Sequence, residues 1–368
     1  MDGVVLFLPQ EIITNILKFL PVKSLIKFQC VCKDWKNLIK TPSFIAAHLH
    51  HSTQLGPHLL LRPLTSYGHR LTSHVLQLYF LDCKIQIVKV PNLPVVDGEV
   101  RIVGSSNGLL CFQIGYIYSD RTFSPRFYLL WNPAFKEVRH VPVTFPDFDR
   151  DGPRVFGFGF GFSPIVNDYK IVVVTLYQAM DHDVQNHPVV YSLRIGSWKQ
   201  IEVGILRGII LRYNLGFTMN GFIFWLGYKQ DCAVMISFDI AMEEFALMPM
   251  PSVVQDYSLG VTITEFEHRL ALLFSKSRSF ELWVLDKGTG GSGERWSWAK
   301  KYTSSHSGLF IAITIWRNEI VGMYYPRQHE RLNFGGIVLS NFTNTELNVL
   351  SSELHKIYYY VESLVPVS

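Results

Sequence analysis

The chain is short of everything that a disulfide scaffold, a nucleic-acid binder or a membrane span requires. Its five cysteines, Cys30, Cys32, Cys83, Cys111 and Cys232, are odd in number and irregular in spacing across 368 residues, which fits a reducing compartment. Charged residues make up only 17%, and a net charge of +4 without a long Lys or Arg run gives no electrostatic footprint for nucleic acid. An uninterrupted apolar run of about 18 residues is missing, so no helical membrane span is expected. The opening MDGVVLFLPQEI carries Asp2 where a secretory leader wants a base, and Pro9 breaks its short apolar stretch. These absences together predict a cytoplasmic or nuclear protein.

What is present divides at about residue 57. Before it, apolar residues recur at helical spacing. Pro9 suits a first helical turn, and Ile12, Ile13, Ile16, Leu17 and Leu20 follow at steps of three and four. Pro21 ends that pattern. A second stripe runs through Leu25, Phe28, Cys32, Trp35 and Ile39, and Thr41 with Pro42 caps a last helix carrying Phe44, Ile45 and Leu49. Three to four helices of this size share a core that is marginal alone, because units below roughly 40 residues bury too little surface. The expected anchors for a foreign surface are Leu8, Pro9, Ile12, Ile16, Leu20, Pro21, Val22 and Leu25; the expected internal core is Leu17, Phe28, Cys32, Trp35 and Ile39. Lys23, Lys27, Lys33 and Lys36 read as a solvated face.

After residue 57 short apolar runs are bounded by Gly, Pro, Asn and Asp, in a chain that is 14% aromatic, as strands and tight turns require. Three segments, LLWNPAFKEVRHVP (129–142), ISFDIAMEEFALMP (236–249) and VLSNFTNTELNVL (338–350), align without gaps. Asn132, Asp239 and Asn341 coincide, as do Glu137, Glu244 and Glu346. Each reads as strand, turn, strand. Turns at Asn107-Gly108, Asn220-Gly221 and Arg317-Asn318 lead further strands, and Trp198 and Trp298 follow a strand and a turn in two related units. A fainter unit spans 78–94. The count is six units at intervals of roughly 35 to 55 residues, the scale of β-propeller blades, with an irregular β-sandwich as the alternative. The ending YYYVESLVPV (358–367) is expected to join an early blade and remove an exposed edge.

Several patterns invite chemistry and do not support it. Gly104-x-Ser106-x-Gly108 has nucleophile-elbow spacing, but the following Leu109-Leu110-Cys111-Phe112 reads as strand where that site needs a helix. Gly157, Gly159 and Gly161 alternate with phenylalanines at period two, which predicts close strand packing and no phosphate cradle. His48, His50 and His51, with Cys30 and Cys32 nearby, lack the spacing of a zinc site, so no metal is expected. Asp147, Asp149 and Asp151 lack the glutamate a calcium loop needs, since Phe158 stands at the twelfth position. No catalytic residue and no cofactor is assigned. Candidate contact loops are 114–126, 145–154, 178–188, 227–232 and 326–334. KGTGGSGE (287–294) reads as a spacer.

Two stretches resemble known families. Leu8-Pro9, Ile12, Ile16-Leu17, Leu20-Pro21-Val22-Lys23-Ser24-Leu25, Phe28, Val31-Cys32-Lys33, Trp35 and Ile39 resemble the F-box. Ser105-Ser106-Asn107-Gly108-Leu109-Leu110, Trp131-Asn132-Pro133, GFGFSPIVNDYK (159–170), VYSLRIGSWK (190–199), LWVLD (282–286) and YVESLVPV (360–367) are similar to the plant F-box-associated domain. That domain is shared by F-box/kelch-type and S-locus F-box proteins, although kelch double glycines are missing. The resemblance implies an F-box over residues 1–50 that binds a Skp-type adaptor and, through it, a cullin. Residues 57–368 would be a substrate-recognition domain for a target protein in a ubiquitin ligase. The alternatives are an S-locus-type receptor for a pistil ribonuclease, and a glycan-binding or catalytic propeller with a helical attachment.

Overall fold

The computed structural model describes residues 8–63, 78–81, 87–90, 98–117, 123–135, 137–143, 154–178, 184–211, 215–230, 232–248, 250–251, 260–276, 279–287, 296–305, 309–325, 336–341, 347–351 and 355–367. Four helices come first: α1 (Gln10–Leu17), α2 (Val22–Phe28), α3 (Lys33–Ile39) and α4 (Pro42–Gln54). Punctuation sets their limits. Pro9 and Pro21 stand at the N-caps of α1 and α2, and the Thr41 hydroxyl accepts the Phe44 N–H at 3.3 Å. Helix α4 continues to Gln54, past the residue-50 limit read from the sequence.

Six antiparallel sheets follow, as the repeat count predicts. The first takes β1 (His58–Pro63), β2 (Tyr79–Leu81) and β3 (Ile87–Lys89). The second holds β4 (Glu99–Ser106), β5 (Leu109–Ile117), β6 (Phe123–Asn132) and β7 (Glu137–Pro142). The third holds β8 (Arg154–Ser163), β9 (Asp168–Gln178), β10 (Val184–Ser192) and β11 (Ser197–Gln200). In the fourth, β12 (Ile209–Leu211) and β13 (Phe217–Met219) both pair with β14 (Phe222–Lys229), which is followed by β15 (Cys232–Asp239) and β16 (Glu244–Met248). The fifth holds β17 (Gly260–Phe266), β18 (Arg269–Lys276), β19 (Ser279–Lys287) and β20 (Trp296–Ser305). The sixth holds β21 (Leu309–Trp316), β22 (Glu319–Tyr325), β23 (Gly336–Asn341) and β24 (Leu347–Ser351). The last strand, β25 (His355–Tyr360), pairs with β1 and completes the first sheet. The two ends of the β region thus close a six-bladed propeller, and pairing β1 with β25 covers an edge that would otherwise template aggregation. Pairing stops at Tyr360, earlier than the sequence reading placed it, and 361–367 leave the sheet to become a strap.

The turns explain themselves. Asn107 and Gly108 have φ of 49° and 80°, Asn220 and Gly221 51° and 80°, and Arg317 and Asn318 54° and 61°. Two successive left-handed residues make the two-residue hairpin whose twist matches its strands. Asn132 and Asp239, aligned in the repeats, do matching work: their side-chain oxygens accept Ala134 N–H at 2.9 Å and Ala241 N–H at 2.7 Å. Residues 342–346 of the third copy lie outside the described residues.

The glycine stripe is a packing device. A Cβ on Gly159 would stand 2.7 Å from Ile223 and 2.8 Å from Trp225. With that face bare, β8 lies against the fourth blade, where Trp225 donates to Phe158 O at 2.9 Å and Gly216 N–H donates to the same oxygen at 2.7 Å. Phe158 and Phe160 occupy the opposite side, in the core between the second and third blades. No helix follows β8, so the phosphate-cradle geometry is not there. Among the described residues, no helix is long and apolar enough to cross a membrane.

Candidate functional site

In α1 the helical period separates two apolar stripes. Leu17, with Ile13 beside it, faces inward onto Val22, Leu25, Ile39 and Phe44. The other stripe stays in water: Leu8 is 56% exposed, Ile12 45%, Ile16 51% and Phe19 58%. Ile12 and Ile16 lie one turn apart on α1, Leu8 before the helix and Phe19 after it extend this ridge, and exposed Pro9 and Pro21 flank it in sequence. Phe19 is held edge-on to His51 at 4.6 Å between ring centres. Exposed Lys23, Lys27, Lys33 and Lys36 lie on the following two helices.

Three expectations need correction. Val22 and Leu25 were expected at the docking surface, but they are buried in the helical core, because the start of α2 turns inward beneath α1 and meets Leu17 and Ile39. Cys32 was expected in that core, yet it is exposed. It stands at the N-cap of α3, in extended conformation, and its sulfur accepts the Trp35 N–H at 3.4 Å. Phe28 and Trp35 pack at the margin, 5.4 Å apart, while Leu17 and Ile39 are fully buried. Leu20 is half-buried, and its carbonyl accepts from His48 Nε2–H at 3.0 Å. Burial holds the His48 pKa below its ordinary value, against the opposing Leu20 hydrogen bond and with a smaller push from His51.

The helical core is completed from the far end of the chain. Leu364 is part of it, and Ala134 and Phe135 of the β6–β7 turn pack against it. The strap that delivers Leu364 is pinned on both sides. Ser363 Oγ donates to Asn107 O at 2.5 Å, and Asn132 Nδ2 donates to Ser363 O at 3.2 Å and Val365 O at 2.7 Å. Gly108 permits this approach, since a Cβ there would meet Ser363 Oγ at 2.3 Å. Trp316 Nε1 donates to Pro57 O at 2.6 Å and fixes the link between α4 and β1.

These contacts settle which face of the propeller carries the helices. Strands alternate in direction, so the turns at 107–108, 133–136, 220–221, 267–268 and 317–318 all open on one face. The helices sit on that face, over the first, second and sixth blades. The opposite ends of the strands make the far face. The contact loops read from sequence connect those far ends: 114–126 joins β5 to β6, 178–188 joins β9 to β10, and 227–232 joins β14 to β15. Residues 118–122, 144–153, 179–183, 231, 288–295 and 326–335 lie outside the described residues, and with them the three aspartates, most of the spacer and the whole 326–334 loop. Between the faces runs a central cavity of about 260 Å³, lined by inner-strand residues including Gly104, Thr218, Thr262, Thr314 and Tyr359. Two of its hydroxyls are tied to buried Thr264, whose Oγ1 lies 3.1 Å from Thr314 Oγ1 and 3.2 Å from Tyr359 OH. Ser106 ends strand β4 before a hairpin, which excludes the elbow. Among the described residues no His, Cys, Asp and Glu group has the arrangement of a metal site.

Comparison with known proteins agrees with this architecture. The F-box domain model matches residues 5–46, and the model described as F-box associated beta propeller domain matches residues 86–330. An F-box/kelch-repeat protein of Arabidopsis thaliana is 27% identical over 308 residues, covering 80% of this chain and 78% of its own. The F-box protein CPR1 of the same plant is 25% identical over 322 residues, covering 80% and 72%. Among solved structures, dipeptidyl peptidase 4 of Porphyromonas gingivalis aligns with a TM-score of 0.38 at 11% identity, over 80% of this chain and 44% of the peptidase. With four helices under a match to the F-box and the propeller model matching from β3 to β22, the chain belongs to the F-box proteins that carry an F-box-associated β-propeller domain.

Proposed function

We propose that this chain is the substrate-recognition subunit of an SCF-type ubiquitin ligase: the α1 ridge docks on a Skp-type adaptor, which a cullin holds, and the propeller presents a target protein. The observation that carries the reading is the ridge of Leu8, Ile12, Ile16 and Phe19, exposed on a segment that matches the F-box. Burying each such side chain contributes about 1.5 to 3 kcal/mol before the costs of association, so four of them and the flanking prolines suffice for a stable complex. The chain itself does no chemistry; it acts by holding the target near a ubiquitin-charged enzyme, where proximity raises the transfer rate. The free cysteines suit a cytoplasmic or nuclear location.

The test is co-expression with a Skp-type adaptor and capture of the complex. Ile12→Asp with Ile16→Asp places charge on the ridge without touching the helical core, so the fold remains and adaptor capture is lost. Undiminished capture by the folded double variant would falsify the docking assignment.

A further inference from the structure

The repeats that align in sequence do not fill the ring equally. Leu130 on β6 and Leu339 on β23 hold the same place, two residues before the turn asparagine, and both are buried against the next blade. On β15 that place is Ser237. Beside Leu130 stands Arg139, which spans the joint and donates to Leu193 O of the third blade at 3.1 Å. Beside Ser237 stands Ala246, too short to do the same. Phe224, opposite Ser237, takes part of the vacated space, and a cleft of about 360 Å³ remains between the fourth and fifth blades. Phe224, Leu270 and Leu285 form its buried floor, while Phe222 and Trp296 stand exposed at its edge. Asn220 and His268 at its mouth belong to near-face turns, so the cleft opens on the face that carries the helices, across the ring from them. The ring closes without an occupant there.

We propose that this cleft holds an uncharged apolar side chain, aromatic or branched aliphatic, from a segment of the target protein. This deepens the receptor reading and rests on it for the word target. The chain itself shows what fits, because a leucine of its own fills the matching place in two other blades. The ionisable groups at the mouth and Ser237 are already engaged: His268 bonds Glu265 at 3.0 Å, Arg269 holds Asp286 at 2.5 Å and Glu267 at 2.9 Å, and Ser237 Oγ donates to Ala246 O at 3.4 Å. Small-molecule sites orient their ligands through a few convergent polar groups. An apolar floor inside a paired polar rim is instead the anatomy of a pocket for a protein anchor residue, with the rim keeping water out.

The experiment selects a randomised peptide library, displayed on phage, against the immobilised full chain. Peptides recovered on the wild type are expected to share one aromatic or branched aliphatic residue, and a synthetic copy with aspartate at that position is not retained. Ser237→Leu fills the cleft from within and lowers affinity by about tenfold or more, as expected when a buried apolar side chain loses its place. Its melting temperature holds or rises, which separates blocking from misfolding. Phe222→Ser, at the exposed edge, weakens binding as well. Peptides without a shared apolar residue, or variants that bind them like wild type, overturn the proposal. A wild-type dimer that Ser237→Leu dissolves assigns the cleft to a second copy, and a cleft that takes free indole while no peptide is recovered assigns it to a small molecule; either result also overturns it. Adaptor capture is measured on the same samples. A wild type that recovers such peptides but captures no adaptor removes the receptor reading and leaves the cleft standing, and adaptor capture without peptides does the reverse.

Discussion

In the propeller, the largest strand side chains, Trp131, Trp225, Phe112, Phe160 and Phe238, are fully buried, and the exposed ones, such as Phe222, Trp296 and Tyr302, belong to different blades. In the helical block, Leu8, Ile12, Ile16 and Phe19 stay exposed although they belong to the same periodic pattern as buried Leu17. The difference follows from geometry. A closed ring of sheets gives each blade two neighbours, so both faces of most strands find cover. Four short helices on one face of that ring have cover on one side only, from Leu364, Ala134 and Phe135. The molecule is therefore self-sufficient in one region and incomplete in the other, and the incomplete region is where a partner belongs.

The strongest way to break this contrast is to injure the ring. Trp225→Ala removes the indole that fills the bare glycine face of β8 and the hydrogen bond from its Nε1 to Phe158 O at 2.9 Å. The expected cost is about 3 to 5 kcal/mol, the range for deleting a buried tryptophan. Chemical denaturation should show one lowered transition for the whole propeller, since blades in a closed ring lose their neighbours together. Separate early melting of the third and fourth blades alone would contradict that cooperativity.

Leu364→Ala tests the join between the regions. It deletes a buried aliphatic from the helical core without touching a strand, at a cost of about 2 to 4 kcal/mol. Hydrogen exchange in α1 to α4 should accelerate while exchange in β9 and β14 holds. If all elements accelerate alike, the helices and the ring are a single cooperative unit and the contrast drawn above is too sharp.

Acid should separate the regions in the same order. His48 is buried in the helical block with its pKa lowered from 6.5, so its contribution is complete above that value and is lost as pH falls through the lowered one. In the ring, Glu243 clasps the third blade: burial pushes its carboxyl up, but hydrogen bonds from Lys170 and Lys199, at 2.5 and 2.7 Å, outweigh this and leave it below 4.5. That contribution is present above 4.5 and is lost only as pH drops further, through the lowered value. Helical exchange protection should thus fade first, below about pH 6.5, and β9 protection later. In His48→Gln, which keeps a donor and does not titrate, the first step should disappear.

How much of this was legible depended on whether the signal was local. The six blades, the closing strand and the Asn-Gly hairpins could be read because Asn and Gly mark left-handed positions wherever they occur. The turn at Glu267-His268, with φ of 49° and 59°, uses residues that announce nothing, and it was missed. The glycine stripe was legible as close packing, though its partners Ile223 and Trp225 were not. In the helical block, periodicity told which residues share a stripe but not which stripe faces the chain itself. Val22 and Leu25 were assigned outward for that reason. The cover that Leu364 supplies arrives from the other end of the sequence, where no local pattern reports it. The pairing of Arg62 with Lys356 was likewise invisible, because the two meet only through the closure of the ring.

The smallest predicted effect concerns Cys32, the residue whose position departs furthest from the sequence reading. A cysteine on an apolar stripe, inside a core, would lose stability on conversion to serine, since an added hydroxyl would be buried without a partner. A cysteine at an N-cap has the opposite prospect. Its sulfur accepts the Trp35 N–H at 3.4 Å, a long contact to a weak acceptor. Serine is among the preferred N-cap residues and its oxygen accepts more strongly, so Cys32→Ser should stabilise α3 by about 0.5 kcal/mol. Thermal melting of the full chain and exchange at the Trp35 amide would both register the change. A loss of stability would return Cys32 to the core, and with it would go the separation of α1's inward and outward stripes on which the docking ridge depends.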